Sequence, residues 1–400
     1  MIARVFVTIA GAASCLSAPT LAQRLDINPE ASLEARIFAE DPQFADQFET
    51  FQGSLIVSGE ASWRSKDRDT RILFEPYIRL DSEDGERTYV DIREASFSRE
   101  INRDWDVLVG VSQVFWGVAE SRNVVDVINQ FDTVEDADEG EKLGQPMIRV
   151  TRRGDFGTLE AYYLPFFRER QFPGQAGRLR TAPRVEADAA SYERGGEQTA
   201  GDFALRYTNR FGGFDLGGHV FYGTSRNPRL DFNPSSGLLE PFYPELTQGG
   251  VDLQWTKEAW LLKGEIVVGE MQDDTFTSAV GGFEYTVFDI GGQGWDVGLI
   301  GEYLYDDRDQ TRLPVTLFEN DVFVGTRITL NDIQDTEFLA GAIIDDQTGS
   351  AIASAEVQRR LGDTLLLEVE ARLFTAENDD PFVSALNVDD NLLIRLTRYF

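Results

Sequence analysis

Apolar and polar residues alternate with period two along most of the chain, the signature of extended strands. The stretch "FDLGGHVFYG" puts Phe214, Leu216, Val220 and Tyr222 on one face and Asp215, Gly217 and His219 on the other. "VDLQWT" sets Val251, Leu253 and Trp255 against Asp252, Gln254 and Thr256. "TLLLEVEARLF" sets Leu365, Leu367, Val369, Ala371 and Leu373 against Glu368, Glu370 and Arg372. Eighteen such windows begin near residues 31, 52, 69, 86, 104, 145, 156, 202, 213, 248, 259, 276, 294, 320, 336, 350, 363 and 390. No stretch has helical periodicity and no linker of Pro, Ser or Gly divides the chain, so one continuous all-β domain is predicted.

The connections alternate in length. "INRD", "RRGDFG", "NRFGGF", "TKEAW", "DIGGQGW", "NDIQDT" and "RLGD" are tight turns, while residues 115–145, 167–201, 225–247, 306–319 and 375–390 are longer. Short turns at one rim, long loops at the other and both chain ends on the short-turn side predict a transmembrane antiparallel up-and-down β-barrel. About 18 strands are expected, with short periplasmic turns and long extracellular loops. Sixteen is the alternative, because alternation is impure in the first strand and in the one near residue 86. In the latter, Glu94 shares the phase of Val90 and Ile92, which predicts a bulge or a shifted register.

Alternation alone also fits a soluble sandwich with its apolar face inside. The tryptophans separate the two. Trp63, Trp105, Trp255, Trp260 and Trp295 all fall in the apolar phase beside tight turns, where an interfacial girdle would stand. Charge agrees, since the tight turns carry Arg and Lys and the long loops carry acid runs such as "EDADEGE", "YDDRD" and "AENDD". A closed barrel also leaves no sheet edge in lipid. The final "DNLLIRLTRYF" must then zip to the first strand near "ASLEARIF". Phe400 falls at that seam, and the terminal strand resembles the C-terminal signature by which outer-membrane proteins are recognised for insertion, with Arg398 in the outward phase.

At the other end, "MIARVFVTIAGAASCLSAPTLAQ" has an early Arg4, a short apolar run and small residues before a cut after Ala22. It reads as a secretory signal peptide over residues 1–22, leaving a barrel over 23–400. The one cysteine, Cys15, falls in the removed segment, so thiolate chemistry and disulfides are not expected. A net charge of −32 argues against nucleic acid as a partner. The basic residues are nearly all arginine, the lysines being Lys66, Lys142, Lys257 and Lys263.

Eighteen strands would enclose an aqueous lumen. Its expected lining is Arg71, Glu75, Arg79, Arg206, Arg210, Asp252, Lys263, Glu265, Glu302, Arg327, Glu356, Glu368, Glu370, Arg372 and Arg395. Charged rings of this kind set solute preference in a pore, although each residue can equally serve as a wall-stabilising partner of its neighbour.

The segment "VGVSQVFWGVAESRNVVDVINQFDTVEDADEGEKLGQPM" is the most unusual. A strand is expected to end at Trp116 and Gly117, followed by a long loop rich in apolar residues: Val124, Val125, Val127, Ile128 and Phe131. Such a loop is expected to fold inward as a constriction, by analogy with porin loops. The stretch resembles one in Gram-negative outer-membrane barrels that include alginate-export-type and related porin-like proteins. There, a strand closing in Trp-Gly precedes an Asp-x-Ile-Asn-Pro-x-Asp-like motif. Trp116, Gly117, Asp126, Ile128, Asn129 and Asp132 match it, with Gln130 in place of the Pro. The resemblance implies passive passage of a solute through the outer membrane of a Gram-negative bacterium.

The expectation is therefore a channel for a polar or charged solute, without enzymatic chemistry or a cofactor. Its partners would be outer-membrane lipid, lipopolysaccharide, the barrel-assembly machinery and the solute. The alternative is a structural or adhesive barrel with a plugged lumen. An enzyme reading rests on His219, the only histidine, and Asp215, but a strand separates such residues by about 13 Å. No nucleophile motif accompanies them. Glu135 to Glu141 concentrates oxygen ligands without EF-hand spacing and reads as a solvated acid run. Acidic outer loops could still hold Ca²⁺ or Mg²⁺ bridging to lipopolysaccharide phosphates.

Overall fold

A computed structural model describes residues 25–135, 140–316, 319–377 and 381–400; the expected leader over 1–22 lies outside the described residues. Eighteen antiparallel strands form one closed sheet. The first seven are β1 (Leu25–Phe38), β2 (Phe51–Arg64), β3 (Thr70–Asp81), β4 (Tyr89–Glu100), β5 (Trp105–Ser112), β6 (Gln145–Gly154) and β7 (Gly157–Leu164). A short β8 (Ser191–Tyr192) stands apart, followed by barrel strands β9 (Asp202–Phe211) and β10 (Phe214–Thr224). The hairpin β11 (Arg229–Asn233) and β12 (Leu238–Tyr243) joins β8 in a separate three-stranded sheet. The wall continues with β13 (Glu245–Lys257), β14 (Trp260–Met271), β15 (Asp274–Val287), β16 (Asp296–Asp306) and β17 (Asn320–Thr329). It ends with β18 (Glu337–Asp345), β19 (Ala351–Arg360), β20 (Leu365–Thr375) and β21 (Asn391–Tyr399).

Each barrel strand pairs with its neighbours along the chain, and β21 returns to β1 in register from Glu30↔Tyr399 to Phe38↔Asn391. At the seam Ser32 and Thr397 share a hydrogen bond of 2.8 Å, and the Phe400 N–H donates to the Pro29 carbonyl at 3.0 Å. All eighteen expected strands are present. The first begins at Leu25 rather than near residue 31: Leu25 and Ile27 alternate with Asp26 and Asn28, and residues 25–30 pair with Ser58–Trp63.

The wall is inverted relative to a soluble protein. Val220 and Tyr222 on β10, Val251 and Leu253 on β13 and Leu373 on β20 are exposed outside, while His219, Asp252 and Arg372 are buried inside. Trp105, Trp260 and Trp295 stand exposed beside the short turns, Trp63 and Trp255 are half-buried there, and Trp116 is buried. The bulge expected near Glu94 occurs: Glu75 pairs with Glu94 but Pro76 with Ile92, so both Arg93 and Glu94 turn inward. Pro76 cannot donate to a ladder, and pairing with β2 also lapses there, jumping from Ser58↔Tyr77 to Ala61↔Phe74.

Loop lengths alternate less strictly than expected. On the long-loop rim, Gln272 and Asp273 alone join β14 to β15, both with positive φ as a type I′ hairpin turn requires. Residues 346–350 make a second low connection there.

Gly59 (φ 153°) lies where β2 presses on β1: a Cβ would sit 2.6 Å from Pro29 Cα and 2.7 Å from the Asn28 carbonyl oxygen. Gly59→Val is expected to cost about 2–3 kcal/mol, read as an earlier urea midpoint of barrels folded in lipid vesicles. An unchanged midpoint would show that β1 can withdraw from β2.

Candidate functional site

Residues 113–135 and 140–144 leave the wall between β5 and β6 and fold into the barrel. The strand expected to reach Trp116 stops at Ser112, because Asn129 replaces the neighbouring strand. Its side-chain amide donates to the carbonyls of Ser112 (3.0 Å) and Leu143 (2.9 Å), and its oxygen accepts from the Val114 N–H (2.9 Å). At Gly117 (φ 131°) the chain packs so closely on Asn123 that a Cβ would overlap its side chain. Beyond that turn, Trp116, Val125, Val127 and Ile128 pack on Met147, Tyr162, Phe221, Val267 and Phe276 of the inner wall. Burying side chains of this size contributes roughly 2 kcal/mol each. The apolar stretch thus finds an apolar patch inside the barrel. Trp116 also covers Arg206, whose guanidinium carbon lies 4.9 Å from its ring centroid, and His219, at 5.2 Å between rings.

Acids on the wall hold the loop tip. Glu265 on β14 accepts from the backbone N–H groups of Val118 (2.6 Å), Ala119 (3.0 Å) and Val125 (3.3 Å). Glu302 on β16 accepts from the N–H groups of Glu120 and Ser121, both at 2.8 Å, and from the Ser121 hydroxyl at 2.6 Å. Glu120 in turn bridges Lys263 (3.2 Å) and Arg327 (2.7 Å). Charge-assisted bonds of this type are the stronger class.

The returning limb is held by arginines. Arg93 reaches Asp132 (2.6 Å) and Glu135 (3.0 Å), and the Tyr89 hydroxyl donates to Asp132 at 2.6 Å. Glu135 also meets Arg79 (3.6 Å) and Arg395 (3.5 Å). Glu34 on β1 sits beneath, paired with Arg79, Arg87 (3.1 Å) and Arg395 (2.9 Å). The acid run expected to be solvated therefore begins with a buried, ion-paired Glu135; residues 136–139 lie outside the described residues. Farther along the loop, Asp126 pairs with Lys142. Burial pushes the Asp126 carboxyl above and the Lys142 ammonium below their ordinary ranges, and their mutual attraction opposes both shifts.

Of the expected lining residues, Arg206 pairs with Asp252 (2.8 Å), sealed under Trp116. Arg372 pairs with Glu370 on its own strand, and Arg71 faces Glu60 at 3.6 Å. Arg210 is corrected: it is in the inward phase but at the rim turn, with its side chain 75% exposed and held by Asp215. That pairing also removes Asp215 from His219, which instead meets Gln248 at 3.0 Å. Inside β17–β20, Arg327, Glu337, Leu339, Glu356, Glu368 and Glu370 keep partial contact with solvent, unlike the buried Asp252, Glu265 and Glu302. Toward the short-turn rim this solvent-lined crescent continues past Glu75, with Glu30, Glu60 and Glu94 within electrostatic reach of it. Of the four lysines, Lys66 and Lys257 are exposed at the short-turn rim, Lys142 is buried in the loop and Lys263 faces the lumen.

The mouth on the long-loop side is partly covered, a feature with no counterpart in the strand pattern. Residues 165–201 cross it, and Arg178 ends beside the seam. Its guanidinium bonds Asp389 (2.5 Å) and the carbonyls of Glu49 (2.6 Å) and Val388 (2.7 Å), and lies over the Phe38 ring. The β11–β12 hairpin reaches over the mouth, where Arg229 donates to Gln272 (2.6 Å) and to the Arg312 carbonyl (3.1 Å). A spaced arginine series, Arg168, Arg170, Arg178, Arg180, Arg184 and Arg194, was the available sequence signal for this strap. Among the described residues, no three His, Cys, Asp or Glu side chains gather as a metal ligand set.

No protein-family model matches the chain, and no curated protein matches it in sequence. Solved structures match it in fold. Wzi, a carbohydrate-binding β-barrel of the outer membrane involved in group 1 capsule assembly in Escherichia coli, aligns with a TM-score of 0.55 at 10% identity, over 96% of this chain and 86% of that one. OprB of Pseudomonas putida aligns with a TM-score of 0.46 at 12% identity over 96% of both chains. OmpF of Salmonella typhi aligns with a TM-score of 0.47 at 11% identity, over 94% and 97%. The chain has the fold of a porin-like outer-membrane β-barrel.

Glu34→Ala would leave Arg79, Arg87 and Arg395 facing one another without their shared carboxylate. The expected loss is about 3–5 kcal/mol in the urea unfolding of vesicle-embedded barrels. A loss below about 1 kcal/mol would mean that the cluster is hydrated and screened.

Proposed function

We propose that this protein is a passive channel in the outer membrane of a Gram-negative bacterium, carrying small polar solutes and favouring cations over anions. The observation that carries the reading is the solvent-lined crescent between the loop tip and β17–β20, where Glu337, Glu356, Glu368 and Glu370 outnumber Arg327. Toward the periplasm the lining stays acidic through Glu30, Glu60 and Glu75. Such a surface raises local cation concentration and repels anions. Residues 113–135 act as the constriction, with Trp116, Gly117, Asp126, Asn129 and Asp132 setting its course rather than touching the solute. No step of chemistry is assigned to the protein. His219 packs against Trp116 and Gln248, a surrounding that suits a structural side chain.

A second reading is a closed, carbohydrate-binding barrel. It is favoured by the apolar packing of the loop against the inner wall and by the strap across the mouth. Wzi lends it a precedent in fold alone.

Single-channel recording in a planar bilayer under a salt gradient separates the two. The channel reading expects stable conductance steps and a reversal potential of cation sign, moved toward zero by Glu356→Gln with Glu368→Gln. Correctly folded barrels that stay silent would give the closed-barrel reading precedence.

A further inference from the structure

Glu265 and Glu302 hold the loop tip by six hydrogen bonds, five from backbone N–H groups and one from the Ser121 hydroxyl. Both residues are 3% exposed. The bonds cluster on Val118–Ser121 and Val125, a span of the loop separate from the arginine anchors at Asp132 and Glu135. The five N–H groups require an acceptor, while the Ser121 hydroxyl can serve either way. An ionised carboxylate offers only acceptors, whereas a protonated one turns one oxygen into a donor that faces N–H groups. Protonation of either residue would therefore break part of the hold.

We propose that Glu265 and Glu302 form an acid-released latch. Ionised, they hold Val118–Val125 across the lumen; protonated, they let the tip go, and the passage widens on the side of β14–β17. The surrounding charges are of both signs. Asp252 on β13 lies across the ladder from Glu265, adding negative charge that its Arg206 partner on β9 offsets. Lys263 on β14 and Arg327 on β17 are bridged by Glu120 of the loop, and Arg327 also meets Glu284 on β15 (3.9 Å) and Glu337 on β18 (2.7 Å). The arginine cluster around Glu34 and Glu135 is a separate anchor, so the tip can move while the returning limb stays.

Release of the tip rests on these bonds, set against the packing of Val124 and Val125 on the apolar cluster; only the widening rests on the channel reading. Hydrogen exchange of the folded barrel, read by mass spectrometry near neutral pH and at about pH 4, reports the latch directly. After correction for the chemical exchange rate, the amides of Val118, Ala119, Glu120, Ser121 and Val125 are expected to exchange at least about tenfold faster in acid, with β14 and β16 unchanged. Glu265→Gln with Glu302→Gln should show the fast exchange already at neutral pH, and either single variant an intermediate rate. The wild-type comparison needs no variant, so a variant that fails to fold leaves the test intact. Equal protection of these amides at both pH values would overturn the proposal, as would neutral-pH protection in a folded double variant. Acid release accompanied by a silent bilayer would remove the channel reading and leave the latch standing.

Discussion

A backbone surrounded by hydrocarbon has no solvent to bond with, so every N–H and C=O in the wall must find a partner in the sheet. The return of β21 to β1 satisfies this condition, and the rest of the molecule follows from it. Closure turns the apolar face outward, which leaves charge no place except the interior. The interior then has to manage that charge. It does so by setting acids and arginines from neighbouring strands against one another and against a loop drawn in from the rim.

That loop shows how an interior built for water can be made solid. Its apolar residues meet a patch on the inner wall that is itself apolar, around Met147, Val267 and Phe276. Its backbone, which has left the sheet, is satisfied by Glu265, Glu302 and Asn129 rather than by another strand. The two requirements are met side by side on β14, where Val267 takes the apolar contact and Glu265 the backbone of Val125. The stretch of wall between β17 and β20, beyond the loop tip, is the part whose lining keeps contact with solvent.

Much of this architecture was legible in the sequence because period two is a local signal. The strands could be counted from alternation, and the irregularity at Glu94 showed as a broken phase before the bulge beside Pro76 explained it. The inward fold of residues 113–135 was foreshadowed by Val125, Val127 and Ile128, which have no reason to face water. What stayed hidden depends on pairing between distant residues. Nothing local distinguishes Glu265, which caps a loop about 140 positions away, from Glu368, which faces solvent. Arg210 has the inward phase but lies one turn too low to line anything. The strap escaped because its arginines are spaced for contacts with several loops, not for a period.

The arrangement of the four lysines has a practical corollary. Two stand at the short-turn rim, one is sealed in the loop and one looks into the lumen, so the long-loop rim and the outer wall of the barrel offer no primary side-chain amine. Amine-reactive reagents confined to the long-loop side of a folded barrel will find no lysine on that surface to label. Lys263 becomes a reporter for the same reason. An amine reagent small enough to enter the barrel would mark it from within, and its modification would measure passage without an electrode.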